Sequence, residues 1–234
     1  MSLSTVARLG ALVVLAACAS TGAKPDPRVG LAGGVANAAE AAGNLKVVAK
    51  APTPSANGFD KQWNSDIAFL GQYAIQGSFN GLEIWDMADV ANPKIVTALP
   101  CAASQNDVSV FRNLLFMSVE SGNTPLVCGD TPVTDSVSPR RFRGIRIFDV
   151  TDIRNPKIVA NVQTCRGSHT HTVLEDPKDK DNVYVYISGS AGIRSPNELP
   201  GCVTDPSDPR TALFRIEVIK VPVANPGNML EQSS

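Results

Sequence analysis

One seventeen-residue unit occurs twice in this chain without a gap, and it leaves few folds open. Asn80-Gly-Leu-Glu-Ile-Trp-Asp-Met-Ala-Asp-Val-Ala-Asn-Pro-Lys-Ile-Val96 aligns with Arg143-Gly-Ile-Arg-Ile-Phe-Asp-Val-Thr-Asp-Ile-Arg-Asn-Pro-Lys-Ile-Val159. Gly81 matches Gly144, Asp86 matches Asp149 and Pro93 matches Pro156. A looser third copy runs from Leu213 to Pro226. Self-similarity at a fixed period is the mark of a repeat architecture, in which each unit buries its apolar surface against the next.

The unit reads as strand, turn, strand. Leu82 and Ile84, like Ile145 and Ile147, alternate with the two-residue period of a β-strand. Asp86 and Asp149 follow the strand, where a carboxylate accepts backbone N–H bonds of a turn. Asn-Pro then interrupts pairing, because proline lacks an N–H and holds its predecessor extended. Lys-Ile-Val starts the next strand. Each unit is preceded by two more short β-branched runs: 66–70 with 72–77, 108–111 with 114–119, and 172–175 with 182–187. Four antiparallel strands per repeat make a propeller blade, so the expected class is all-β with about three blades in an incomplete ring.

The paired units Gly-Leu-Glu-Ile-Trp-Asp…Asn-Pro-Lys-Ile-Val and Gly-Ile-Arg-Ile-Phe-Asp…Asn-Pro-Lys-Ile-Val resemble the LVIVD repeat of bacterial surface and periplasmic proteins. The resemblance covers roughly residues 60 to 226 and implies β-propeller blades. Members of that family carry more repeats than this chain. Three blades do not close a ring, since propellers run to about four to eight. The expectation is therefore an N-terminal portion of a longer propeller, or assembly with another copy.

Near the N-terminus Arg8 precedes a short apolar run, Leu9–Ala17, too short for a stable membrane anchor. Leu15-Ala16-Ala17-Cys18 resembles the lipobox of bacterial lipoproteins, which implies a signal peptide over 1–17 and lipidation of Cys18. Ala19 after that cysteine resembles an outer-membrane address in Gram-negative sorting. Several acyl chains on one terminus suffice for stable anchoring. The expected place is the bacterial cell envelope, outer membrane or cell surface. Residues 18–57, punctuated by Pro25, Pro27, Pro52 and Pro54, read as an Ala/Gly/Pro-rich tether, with a helical turn near 36–42 and a short strand over 44–50. Blades then occupy 58–234.

Export also sets the chemistry of the other four cysteines. Four cysteines allow three pairings. Cys101 and Cys165 each close the strand after an Asn-Pro, and Cys128 and Cys202 each sit in the insert before the next repeat strand. Repeat equivalence selects Cys101–Cys128 and Cys165–Cys202. A thiolate metal site lacks the C-x-x-C spacing it needs.

A formal net charge of −1 argues against an electrostatic nucleic-acid binder and leaves only a local basic run, Pro139-Arg140-Arg141-Phe142-Arg143. Both histidines of the chain lie in Cys165-Arg-Gly-Ser-His-Thr-His-Thr-Val173. Ser65-Asp66-Ile67, Asn106-Asp107-Val108 and Thr170-His171-Thr172 fall at matching places, which puts His171 where earlier blades carry aspartate. Innermost blade strands line a central channel, so Asp66, Asp107, His169 and His171 are candidate ligands for a divalent metal. The plainer reading is that each caps a strand and satisfies the neighbouring blade. Asp176–Asn182 offers oxygen ligands for calcium but lacks the glycine and distal glutamate of an EF-hand loop. No nucleophile elbow, phosphate loop or dinucleotide fingerprint is present. Two functions remain: a non-enzymatic envelope protein binding a protein or glycan partner, or a metal-binding protein or metal-dependent enzyme using the His-x-His and channel aspartates.

Overall fold

The computed structural model describes residues 25–34, 37–120, 122–227 and 230–233. The expected signal peptide and Cys18 lie outside them. The chain divides into two compact units, Met1–Val47 and Val48–Ser234. In the first, the described residues form turns and exposed coil, with Arg28 donating to Asp26 at 2.9 and 2.6 Å. The expected strand over 44–50 does not form; those residues run as a bend and coil.

The second unit is three four-stranded antiparallel sheets in a propeller-like all-β fold. The first blade is β1 (Asn64–Leu70), β2 (Tyr73–Ser78), β3 (Gly81–Asp86) and β4 (Lys94–Pro100). The second is β5 (Val108–Phe111), β6 (Leu114–Val119), β7 (Gly144–Asp149) and β8 (Lys157–Gln163). The third is β9 (Thr170–Asp176), β10 (Asp179–Ser188), β11 (Ile216–Pro222) and β12 (Leu230–Ser233). Strands in each blade pair in chain order.

The repeat unit folds as its sequence requires. Gly81 and Gly144 hold φ of +144° and +142°, and a Cβ on either would lie 2.0 Å from a carbonyl oxygen of the next strand. Only glycine fits there. Asp86 Oδ1 accepts the Ala88 N–H at 2.9 Å, and Asp149 Oδ1 accepts the Thr151 N–H at 2.8 Å. Asp89 and Asp152 repeat the device on Ala91 and Arg154.

Core forms between blades, not within them. Ile75, Leu82 and Ile84 of the first blade pack with Leu115, Met117 and Phe148 of the second. Leu114, Phe116, Ile145 and Ile147 of the second pack with Val183, Val185, Ile187 and Ile219 of the third. Every strand of the middle sheet contributes to these layers, so β6 is buried along its whole length. Hydrophobic alternation thus becomes two packed faces rather than one wet and one dry.

The two disulfides are Cys101–Cys128 and Cys165–Cys202, with Cα separations of 4.4 and 5.3 Å. Each ties an insert between the second and third strands of one blade to the end of the preceding blade. They close loops with sequence separations of 27 and 37, worth about 3.5 kcal/mol each in the chain-entropy account.

Candidate functional site

The inner strands β1, β5 and β9 bound a cavity of about 470 Å³, lined among others by Ile67, Phe69, Val108, Ser109 and Thr172. Of the expected channel residues His171 lines it, and Asp66 and Asp107 do not. Their carboxylates instead join successive blades. Asp66 Oδ2 accepts the Val108 N–H at 3.2 Å, and Asp107 Oδ2 accepts the His171 N–H at 2.8 Å.

These two bonds correct the expected alignment by one residue. Asp66 and Asp107 are equivalent, so the groups they hold, Val108 and His171, are equivalent too. Thr170, not His171, stands in the aspartate position. A one-residue shift turns a strand side chain to the other face. The His171 ring therefore faces the second blade, with its side chain fully buried near Phe116.

Its surroundings do not form a relay. Nδ1 lies 2.9 Å from Asp107 Oδ2 and 2.8 Å from Ser118 Oγ. A hydroxyl nucleophile and an orienting carboxylate must meet opposite ring nitrogens, whereas here both meet the same one. Ser118 Oγ continues to Ser168 Oγ at 2.8 Å, which donates to the Thr170 carbonyl at 3.2 Å. Burial pushes the Asp107 carboxyl up, but the bonds from His171 outweigh it and hold it below its ordinary value.

His169 precedes β9 and takes a different carboxylate. Its Nδ1 is 3.0 Å from Glu120 Oε2, and Glu120 also accepts the Ser190 hydroxyl. Burial raises the Glu120 carboxyl, and the Ser190 and His169 bonds more than reverse this. The His-x-His pair is thus split between Glu120 and Asp107. Among the described residues, no three His, Cys, Asp or Glu side chains gather into a set that could hold a metal ion. The Asp176–Asn182 stretch is a tight turn in which Asp179 accepts from Tyr184 at 2.7 Å and pairs with Lys220 at 3.2 Å, leaving that carboxylate already engaged.

Sequence reading missed a charged position in the third strand of each of the three described blades. Glu83, Arg146 and Glu217 are buried. Ladder partners place them in register: Glu83 opposes Gln76 in the first blade, Arg146 opposes Met117 in the second, and Glu217 opposes Ile187 in the third. Arg146 donates to the carbonyls of Pro125 and Leu126 at 2.6 and 2.8 Å and to Asn161 Oδ1 at 2.9 Å. Its guanidinium sits 4.1 Å from the Phe142 ring centroid, and burial brings its pKa down to about 10. Glu217 accepts from Arg215 at 2.6 Å and from the Cys165 N–H at 3.5 Å. The Glu83 carboxylate oxygens make no hydrogen bond among the described residues. The signal was available in the aligned repeat, where a charge stands between two core residues in both full copies.

The two inserts meet. Glu198 of the third blade's insert lies 3.1 Å from Arg194 and 3.6 Å from Arg141 of the second blade's insert, all three buried. Arg194 also donates to the Arg141 carbonyl at 2.9 Å. No protein-family model matches the chain, and no curated protein matches it.

Proposed function

We propose that this is a non-catalytic, lipid-anchored binding protein of the bacterial envelope, built on LVIVD-type propeller blades and recognising a protein or glycan partner through its inserts. The observation that carries this reading is the joined insert surface. Two loops at equivalent places in successive blades are each stapled to the preceding blade and are locked to each other through Glu198. A loop surface held this firmly loses little conformational freedom on binding. It carries exposed apolar groups, Val127, Val137 and above all Phe214 at 94% exposure, of the kind that serve as anchors in interfaces. Buried Arg141, Arg146, Arg194, Glu198 and Glu217 are occupied by backbone and by one another, which favours recognition over catalysis.

Export and two disulfides fit the envelope, and Cys18 is the attachment point in this reading. The test has two arms. Metabolic labelling with a fatty-acid analogue should mark the chain and not Cys18→Ala. Crosslinking in intact envelopes should retain a partner that Val137→Asp/Phe214→Asp loses while circular dichroism stays unchanged. A partner retained equally by that variant would refute the insert surface.

A further inference from the structure

The two end sheets of the array each leave a face bare that the middle sheet buries. Ladder register makes the comparison direct. In the second blade Phe116 pairs with Ile147 and Ser118 with Ile145; in the third Tyr186 pairs with Val218 and Ser188 with Ile216. Phe116, Ile145 and Ile147 are fully buried against the third blade. Their counterparts Tyr186 and Ile216 are 39% and 57% exposed. At the other end, Ile67 and Phe69 are 47% and 65% exposed, where the equivalent Val108 is buried against the first blade.

We propose that the bare face of the third blade packs on the bare face of the first blade of a second copy of this chain. Two features point to that occupant. The first is continuity: this contact would repeat the interface already made twice within the chain, between the same two faces of successive blades. The second is shape. The third blade's face carries Tyr184 and Tyr186 where the second blade has Leu114 and Phe116. The first blade's face carries Ala74 where the second has Leu115, and Ala74 helps line a groove of about 360 Å³ with Ile67, Phe69, Trp85 and the chain's own Ala51 and Thr53. Aromatic rings on one face meet a groove on the other. An interface between unlike faces is heterologous and closes into a ring when the rotation allows. Two copies contribute six blades, within the range of closed propellers. Both copies then use both faces, and no bare sheet face remains.

The test is sedimentation of the full chain carrying Cys18→Ala, which keeps lipid out of the measurement. The expected species has twice the mass of one chain. Phe69→Asp and Tyr186→Asp sit at exposed positions and leave the fold intact by circular dichroism. Each alone should yield monomer, and mixing the two should restore a two-copy species through the one unmutated contact. Monomer from the parent chain overturns the proposal and leaves the faces to other segments or partners. A two-copy species insensitive to Tyr186→Asp also overturns it, since that would be a like-with-like contact. Open filaments overturn the closed ring.

Discussion

Glu83 and Arg146 occupy the same place in successive blades and meet opposite fates. Arg146 is fully buried yet satisfied, because the insert of its own blade brings the Pro125 and Leu126 carbonyls over it. Glu83 is equally inaccessible and has no such cover, because the second and third strands of its blade are joined by the tight turn Phe79-Asn80. The difference teaches what the inserts do inside the fold. On its inner side the second blade's insert supplies hydrogen-bond acceptors for a buried charge; its outer side is the surface proposed above for recognition. The disulfide at Cys128 holds that acceptor segment in place.

The comparison can be broken most severely at the staple. Removing it with Cys101→Ser/Cys128→Ser should cost about 3.5 kcal/mol, read by denaturant unfolding, and should raise hydrogen exchange in residues 122–143. Arg146→Ala should cost about 3 kcal/mol, since two carbonyls lose their donor in a dry site. If the insert merely covered a surface, this substitution would be nearly silent. The aspartate clamps come next. Asp107→Ala should cost about 2 kcal/mol, because it releases both the backbone and the ring of His171, and Asp66→Ala about 1 kcal/mol for its single longer bond. The folded-state pKa of Asp107 is depressed, so its contribution is present above the unfolded value and is lost as pH falls through the folded one. The parent chain should therefore show an acid-dependent loss of stability that Asp107→Asn lacks.

The smallest effect has the opposite sign. Burial raises the Glu83 carboxyl. An acid with a raised folded pKa weakens the fold as pH climbs from its unfolded value through its folded one. Glu83→Gln should raise the melting temperature at neutral pH and leave it unchanged at low pH. A variant less stable than the parent at neutral pH would show that a cation satisfies Glu83 in solution.

Much of this was legible because the repeat is written twice in full. Gly81, Asp86 and Pro93 with their partners specify a turn, a cap and a break, each by local chemistry, so blade boundaries and cysteine pairing followed. What escaped depended on contacts between blades. The plainer reading, that Asp66 and Asp107 satisfy the neighbouring blade, holds, but one residue of register separated His171 from the position expected of it. Period-two alternation does not tell a strand wet on one face from one buried on both. That is why Arg146, which alternation alone would send to solvent, proved to be among the largest fully buried side chains.

The arrangement of inserts over blades stands or falls on which cysteines are joined. Peptide mapping of the unreduced protein, exported from its host, tests this most directly. The account predicts one peptide pair joining Cys101 to Cys128 and another joining Cys165 to Cys202, with no free thiol among the four. A pair joining Cys101 to Cys165, or Cys128 to Cys202, would contradict it.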